Sequence, residues 1–354
     1  MEKSVLILGA RGRLGGAVAQ AFADSGWRVL AHRRAGGVEP RVAHASIQWL
    51  QTDLADTPAL ATAAGGASAV VHAMNPAAYT ATAWRADMPR LTQQAIDAAL
   101  ALDARLLFAG NVYNYGAQMP AVLTPDTPQA PTTEKGRIRV ALEQQLRSAA
   151  SDHGLRATVI RAGDFFGSGS GSWLDLMIVK KLPQGRITWP GPRDVPHAWA
   201  FLPDLARDFV RVAQAGNASG SPSKPGVETL MHAGLTVTGQ QWVQVLTDIA
   251  REQAWLPRSG KLRINTVPWG LMALAAPFSP MMASLREMRY LWTTPHGLDG
   301  SAMAARVGAP AATSLAQAAE VALMDLGMLS SPRADVARAG APVPATGSAV
   351  SVAA

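Results

Sequence analysis

Residues 5–15 read V-L-I-L-G-A-R-G-R-L-G, an apolar run that passes directly into glycines at Gly9, Gly12 and Gly15. A buried strand, then a glycine turn, then a helix is the order in which an α/β protein grips a dinucleotide pyrophosphate. Gly9 permits the tight turn. Gly12 lets backbone N–H groups approach phosphate without a Cβ between, and Gly15 lets the helix lie close on the strand. The helix starts near Leu14 with its positive end toward the phosphates. Leu14, Val18, Ala21 and Phe22 recur at helical spacing and give it one apolar face. Arg11, Arg13 and Leu14 complete the expected cofactor-contacting turn.

Outward from this stretch, short apolar runs alternate with helical patterns. Strands are expected at residues 5–8, 27–31, 47–50, 69–73, 105–109 and 157–161, and helices at 91–102 and 137–151. This rhythm predicts an α/β fold: a Rossmann-type, doubly wound parallel sheet with its ligand crevice at the carboxyl ends of the strands. Residues 1–165 read as the dinucleotide-binding domain, with segments near 195–215 returning to it. Residues 166–330 are richer in Pro, Trp and Met and read as a smaller substrate-binding region. Residues 331–354, mostly Ala, Pro, Ser and Gly, read as a disordered tail.

Composition narrows the function classes. Hydrophobic residues make up 48% and charged ones 16% of the 354, which suits a packed globular chain. There is no cysteine, so disulfides, thiolate catalysis and sulfur-based metal sites are excluded. The seven histidines form no H-x-H or H-E-x-x-H pair, and no metal site is expected. The net charge of +7 comes from scattered arginines without a polybasic run, so nucleic acid is not the expected partner. The first strand begins within five residues of Met1, leaving no room for a signal peptide, and a cytoplasmic location is expected. The apolar stretch 267–285 is broken by Pro268, Gly270, Pro277, Ser279 and Pro280. It is a poor spanning segment and reads as a helical cap or lid over a pocket, with a monotopic membrane contact as the alternative.

The end of the second strand selects between the two nicotinamide cofactors. An acid there would accept from the ribose hydroxyls and favour NAD(H). Residues 31–37 instead read A-H-R-R-A-G-G, with Arg33 and Arg34 and no acid. With Arg11, they are candidates for a 2′-phosphate, and one charge-assisted hydrogen bond implies roughly a tenfold to hundredfold preference for NADP(H) over NAD(H). The competing reading makes Arg33 and Arg34 solvated loop residues. Asp53, in Q-T-D-L, with Leu54 beside it, is placed to meet the adenine; equally, Asp53 is a candidate helix N-cap.

Five stretches carry a family resemblance: G-A-R-G-R-L-G (9–15), V-V-H-A-M-N-P (70–76), F-A-G-N-V-Y-N-Y-G (108–116), V-I-R-A-G-D-F-F-G (159–167) and F-L-P-D-L-A-R (201–207). Over residues 4–330 the chain resembles the extended and atypical short-chain dehydrogenase/reductases, the group that includes NAD(P)-dependent epimerase/dehydratases. The resemblance implies cofactor contacts at Ala73 and Asn75. It also implies a Ser or Thr that holds the substrate oxygen, a Tyr that moves its proton, and a Lys four residues later that holds the ribose. Here Asn111 stands at the Ser position, Lys135 at the Tyr position and Arg139 at the Lys position, with Glu143 at the family spacing beyond. The Tyr is missing.

Three routes to the missing proton remain. The Asn111 amide can donate to a carbonyl oxygen. Lys135, desolvated beside Arg139, can acquire a lowered pKa and act as the acid. Tyr113, two residues past Asn111 on an extended segment, can supply a phenol. Tyr115, Phe165, Trp173 and Trp292 are candidate substrate contacts. The F-F-G-S-G-S-G-S-W run (165–173) is either a flexible lid connection or an anion nest, and Asp299 reads as a helix N-cap. The leading reading is an NADP(H)-dependent oxidoreductase acting on a small, largely apolar carbonyl or alcohol, with a homodimer possible. A catalytically silent NADP(H) sensor comes second, and a sugar-nucleotide epimerase or dehydratase third.

Overall fold

The computed structural model describes residues 3–33, 44–216, 224–310 and 312–330; Arg34 and the 331–354 tail lie outside them. Strand β1 (Ser4–Leu8) is buried along its whole length, as an all-apolar strand at the centre of a parallel sheet must be. It pairs with β2 (Arg28–His32) on one side and β4 (Ala69–His72) on the other. β3 (Ile47–Leu50) continues beyond β2, and β5 (Arg105–Asn111) beyond β4. The strands Arg156–Ala162 and Gly226–Met231 complete a seven-stranded sheet in which every pairing is parallel.

Helices cover both faces. On one, α1 (Arg13–Asp24) packs Leu14, Val18 and Phe22 against Val5, Ile7 and Val29; Ala21 sits at the margin, partly buried. The short α2 (Thr57–Ala63) precedes β4, and its cap is Asp56, whose side chain accepts from the Ala59 N–H at 3.0 Å. On the opposite face, α3 (Ala81–Ala101) and α4 (Glu134–His153) bring Trp84, Met88, Ile96, Leu142 and Leu146 onto Leu6, Val70, Leu106 and Phe108. α5 (Leu202–Gly216) returns to the first face and lies beside α1 through Leu205 and Phe209. Each such aliphatic or aromatic side chain contributes about 1.5–3 kcal/mol by leaving water.

The strand Gly226–Met231 corrects the expected boundary, since its sequence falls in the stretch read as substrate region. It is an edge strand with one neighbour, only partly buried, and its Glu228 breaks the apolar run that marked the others. The rest of the second half forms a smaller layer. There, Asp164–Phe166, His197–Phe201 and Leu235–Val237 make one sheet, and Arg186–Trp189 pairs with Arg263–Thr266. Trp189, Trp199, Trp242 and Trp292 are buried together in its core with Phe166 and Leu246.

The glycine turn depends on one contact. A Cβ on Gly15 would lie 2.2 Å from the Gly9 carbonyl oxygen, so α1 seats on the end of β1 only with hydrogen at that position. Gly15→Ala is expected to lower stability by about 1–3 kcal/mol in chemical denaturation, because backbone must move to admit the methyl. Gly270→Ala, whose Cβ would meet nothing within 4 Å, is the matched control and is expected to be neutral or stabilising.

Candidate active site

The turn has the form of a phosphate cradle. Gly9 adopts φ +89, and a Cβ there would lie 2.7 Å from the Ala73 carbonyl, so the turn rests on the end of β4. Gly12 occupies the N-cap position of α1 without a side-chain cap, and the first turn of the helix holds no acid. An uncapped helix start is what a bound diphosphate requires. The Arg13 guanidinium donates to the Gly167 carbonyl at 2.9 Å, tying the turn to the small layer.

At the adenosine end, the Arg33 N–H donates to the Leu50 carbonyl at 3.0 Å. Arg33 Nε and Thr52 Oγ1 are buried without a hydrogen-bond partner among the described residues. Thr52 carries no sequence signal and was missed. Asp53 accepts from the Ala55 N–H at 3.0 Å and shapes the turn before α2, while Asp56 is the N-cap; the N-cap reading of Asp53 is corrected. Leu54 is half-buried against the core, and Asn75 is exposed at the mouth of the β4 end.

At the end of β5 the expected catalytic residues diverge. Asn111 Oδ1 accepts from the Tyr113 N–H at 3.0 Å, because the chain leaves the strand there and enters a 3-10 turn, Tyr113–Tyr115. Tyr113 therefore does not share an extended face with Asn111. Its hydroxyl meets that of Tyr79 at 3.0 Å. Burial raises the pKa of both phenols, so both stay protonated. One donates to the other, which leaves one O–H proton of the pair for a third group.

Lys135 is 0% exposed. Its Nζ donates to the Ser284 carbonyl at 3.4 Å, lies 4.2 Å from the Tyr79 ring centroid and stands 3.9 Å from Glu287 Oε2. Burial pulls its pKa down to about 8, against the opposing pull of Glu287 and Glu134. Desolvation is the cause here, and Arg139, expected to supply it, points elsewhere. Arg139 donates to the Ala109 carbonyl at 3.0 Å and lies over the Trp84 ring, with its Nε buried and unpartnered among the described residues. Tyr115 is fully buried and takes a hydrogen bond from Arg161, whose guanidinium also pairs with Glu143. Glu143 accepts in addition from Asn114 at 3.0 Å and Gln129 at 2.8 Å. This network is structural, which corrects the placement of Tyr115 among the substrate contacts.

The second half supplies groups that sequence spacing did not bring together. His197 directs Nε2 at Asp164 Oδ2 and Nδ1 at the Leu291 carbonyl, both at 3.0 Å. A carbonyl only accepts, so Nδ1 carries a proton; the dyad therefore holds a second proton on the Nε2–Oδ2 line, an imidazolium facing a carboxylate or a neutral ring facing a carboxyl. Trp292 stacks on His197 with centroids 4.4 Å apart, so it backs the dyad from the core rather than meeting substrate as expected. His296, its ring 4.7 Å from that of His197, donates Nδ1–H to the Thr294 carbonyl at 2.9 Å. Burial lowers its pKa to about 3, so the ring is neutral and its Nε2 is a bare acceptor. That nitrogen and the Tyr290 hydroxyl are buried without partners among the described residues. Trp173 and Phe165 are half-buried, Trp173 with its ring 5.3 Å from that of Trp292 and Phe165 against the core under α1.

A family model, NAD dependent epimerase/dehydratase family, matches residues 5–224. The chain belongs to that family. UDP-glucose 4-epimerase from Brucella ovis, solved with NAD, is 18% identical, with 92% of this chain and 98% of that one covered at a TM-score of 0.66. UDP-glucuronic acid 4-epimerase from Bacillus cereus, also solved with NAD, is 14% identical over 90% and 96% at 0.67. L-threonine dehydrogenase from Clostridium difficile is 14% identical over 92% and 98% at 0.68. No curated protein matches the chain.

Of the two readings of the 165–173 run, a flexible lid connection or an anion nest, the nest's N–H groups are taken by the chain's own carboxylates. The Gly171 and Ser172 N–H groups donate to Asp175 at 2.8 and 2.7 Å, and the Ser168 N–H donates to Asp325 at 2.8 Å. Asp299 accepts from the Ser301 N–H at 2.8 Å, but the N-cap position belongs to Gly300. Among the described residues no group of three or more potential ligands could hold a metal.

The Lys135 environment sets a pH signature. A lysine whose folded pKa lies below its unfolded value burdens the fold while protonated, and the burden lifts as pH rises from about 8 toward the unfolded value. Between pH 7 and 9 the protein is expected to gain about 1 kcal/mol in denaturant unfolding from this group. In Lys135→Met that increment is expected to vanish.

Proposed function

We propose that the chain is an NADP(H)-dependent oxidoreductase of the atypical short-chain type, acting on a small, largely apolar carbonyl or alcohol. The observation that carries this reading is the Tyr79–Tyr113 hydroxyl pair at the carboxyl end of the sheet. Lys135 is held by Ser284 and Arg139 by Ala109, so the phenol pair is the proton donor left beside the cofactor turn. Gly9, Gly12 and Gly15 with the uncapped α1 would hold the diphosphate, and Arg11, Arg33 and Arg34 would favour a 2′-phosphate. When bound, the nicotinamide supplies or accepts the hydride.

In the reducing direction, hydride reaches the substrate carbon from the nicotinamide and Tyr113 passes its proton to the substrate oxygen. Tyr79 passes its own to Tyr113 along their hydrogen bond, and bulk water returns a proton to Tyr79 before the next turnover. Burial raises both phenols and so keeps them protonated at neutral pH, able to hydrogen-bond the substrate oxygen, while making each a weaker acid than a free tyrosine. The Asn111 amide, whose oxygen caps the turn, has its N–H₂ group to steady the same oxygen. The UDP-sugars named for the neighbours fit less well, because the N–H groups of the glycine-rich loop that could take an anion are already closed on Asp175 and Asp325. A cofactor sensor without turnover is the second reading, favoured by the burial of Lys135 beneath Ser284.

Calorimetry with NADPH and NADH, followed by turnover on a panel of carbonyl compounds, tests these statements. NADPH is expected to bind roughly tenfold to hundredfold tighter than NADH, with Arg33→Ala erasing most of the difference. Tyr113→Phe is expected to lower kcat by about 10²–10⁴ with NADPH affinity unchanged, while Lys135→Met keeps the rate. Tight NADPH binding with no turnover on any compound would move the assignment to the sensor. Equal affinity for both cofactors would remove the 2′-phosphate site.

A further inference from the structure

Residues 264–285 contain no charged side chain. They include all but the last two residues, Arg286 and Glu287, of an arm of two short helices, Trp269–Ala275 and Pro280–Glu287, joined by a 3-10 turn, Ala276–Phe278. The arm's inner side is pinned. Trp269 Nε1 donates to the Pro190 carbonyl at 2.7 Å, and the Ala81 N–H donates to Ser284 Oγ at 3.1 Å.

The outer side is bare: Leu271 is 67%, Leu274 73% and Phe278 90% exposed, with Met281 exposed beside them. Single exposed apolar residues are ordinary, but four within one uncharged stretch form a patch that marks an interaction surface.

Cations surround its root. Arg286, in the last turn of the second helix, and Arg289, just beyond it, are both exposed, with the Arg289 guanidinium 5.8 Å from the Trp269 ring. Arg263 precedes the arm and sits opposite Arg186 in the neighbouring strand, and Arg186 lines a cleft of about 400 Å³ with Lys180, Lys181 and Gln184. Glu287, the acid at the arm's end, is turned inward onto the N–H groups of Glu134 and Lys135.

We propose that this arm is a monotopic docking element that inserts Leu271, Leu274 and Phe278 into the surface of an anionic bilayer while the arginines meet lipid headgroups. Neither helix is long enough to cross a membrane, so the contact lies in the plane of one leaflet. The exposed apolar area, on the order of 500 Å², falls short of the ~800 Å² per partner that a stable dimer buries. A soft lipid phase accepts a protruding tip that a second protein surface would have to match in shape. Insertion plus headgroup attraction is the pair of weak signals that together hold a peripheral protein. The proposal uses no residue of the cofactor turn or of the phenol pair, so it stands or falls independently of the redox reading.

The absence of cysteine permits a site-specific test. Phe278→Cys, labelled with an environment-sensitive dye, is titrated with vesicles of phosphatidylcholine alone or with one third phosphatidylglycerol. Glu320→Cys, on a remote exposed helix, serves as the control. The Phe278 label is expected to shift to the blue with anionic vesicles, more weakly with neutral ones, and the Glu320 label not at all. In co-sedimentation, the unlabelled Leu274→Ser/Phe278→Ser protein is expected to lose at least about tenfold in partitioning, and Arg286→Glu/Arg289→Glu to lose the preference for anionic lipid. Unchanged thermal melting certifies that both variants are folded. No blue shift with either vesicle, or equal partitioning of wild type and Leu274→Ser/Phe278→Ser, would overturn the proposal. So would a switch from dimer to monomer in that double variant without vesicle binding by the wild type, which would assign the arm to self-association.

Discussion

The approach of α1 to the end of β1 is the constraint from which the rest of the molecule is built. Gly15 lies against the Gly9 carbonyl at a distance no side chain could share, and Gly9 rests in turn on Ala73 at the end of β4. β1, α1 and the end of β4 are thereby fixed against one another. The crevice at the carboxyl ends follows from that arrangement, because parallel strands linked by right-handed crossovers deliver their loops to one edge. Everything chemical in the chain, from Arg33 to Tyr113 to Asp164, is brought to that edge by the same connectivity.

On this frame one lysine is buried at the start of α4: Lys135 is enclosed by Tyr79, Ser284 and Glu287. Two forces compete over it. Desolvation favours the neutral amine, while Glu287 and Glu134 favour the ammonium, and desolvation prevails. The phenols of Tyr79 and Tyr113 feel the same dry surroundings with the opposite charge logic, which keeps their protons on. One environment thus loosens the proton of a lysine and tightens those of two tyrosines.

Much of this was legible in the amino-acid sequence, for identifiable reasons. Five strands of the main sheet announce themselves because they have neighbours on both sides and are rich in buried apolar residues, and the edge strand β3 still shows Ile47, Trp49 and Leu50 within four residues. The edge strand Gly226–Met231 has one neighbour and an interrupting Glu228, so the pattern fades where the burial does. Gly9 and Gly15 could be assigned roles because each answers a local steric demand. Asp164, His197 and His296 could not, since their relation is set by how the small layer folds back and by nothing within reach of a motif. Tyr115 misled for a related reason: its neighbour Tyr113 faces the crevice, while the 3-10 turn sends Tyr115 into the Glu143–Arg161 network.

The bond from Arg13 to the Gly167 carbonyl spans 154 residues of sequence and joins the first turn of α1 to the loop leaving Asp164–Phe166. It makes the amino-terminal anion cradle and the tryptophan-rich layer mechanically continuous. By thermodynamic reciprocity, whatever steadies one end of such a tether steadies the other by the same free energy. Ordering of the α1 start and ordering of the loop at Gly167 are therefore linked through that guanidinium.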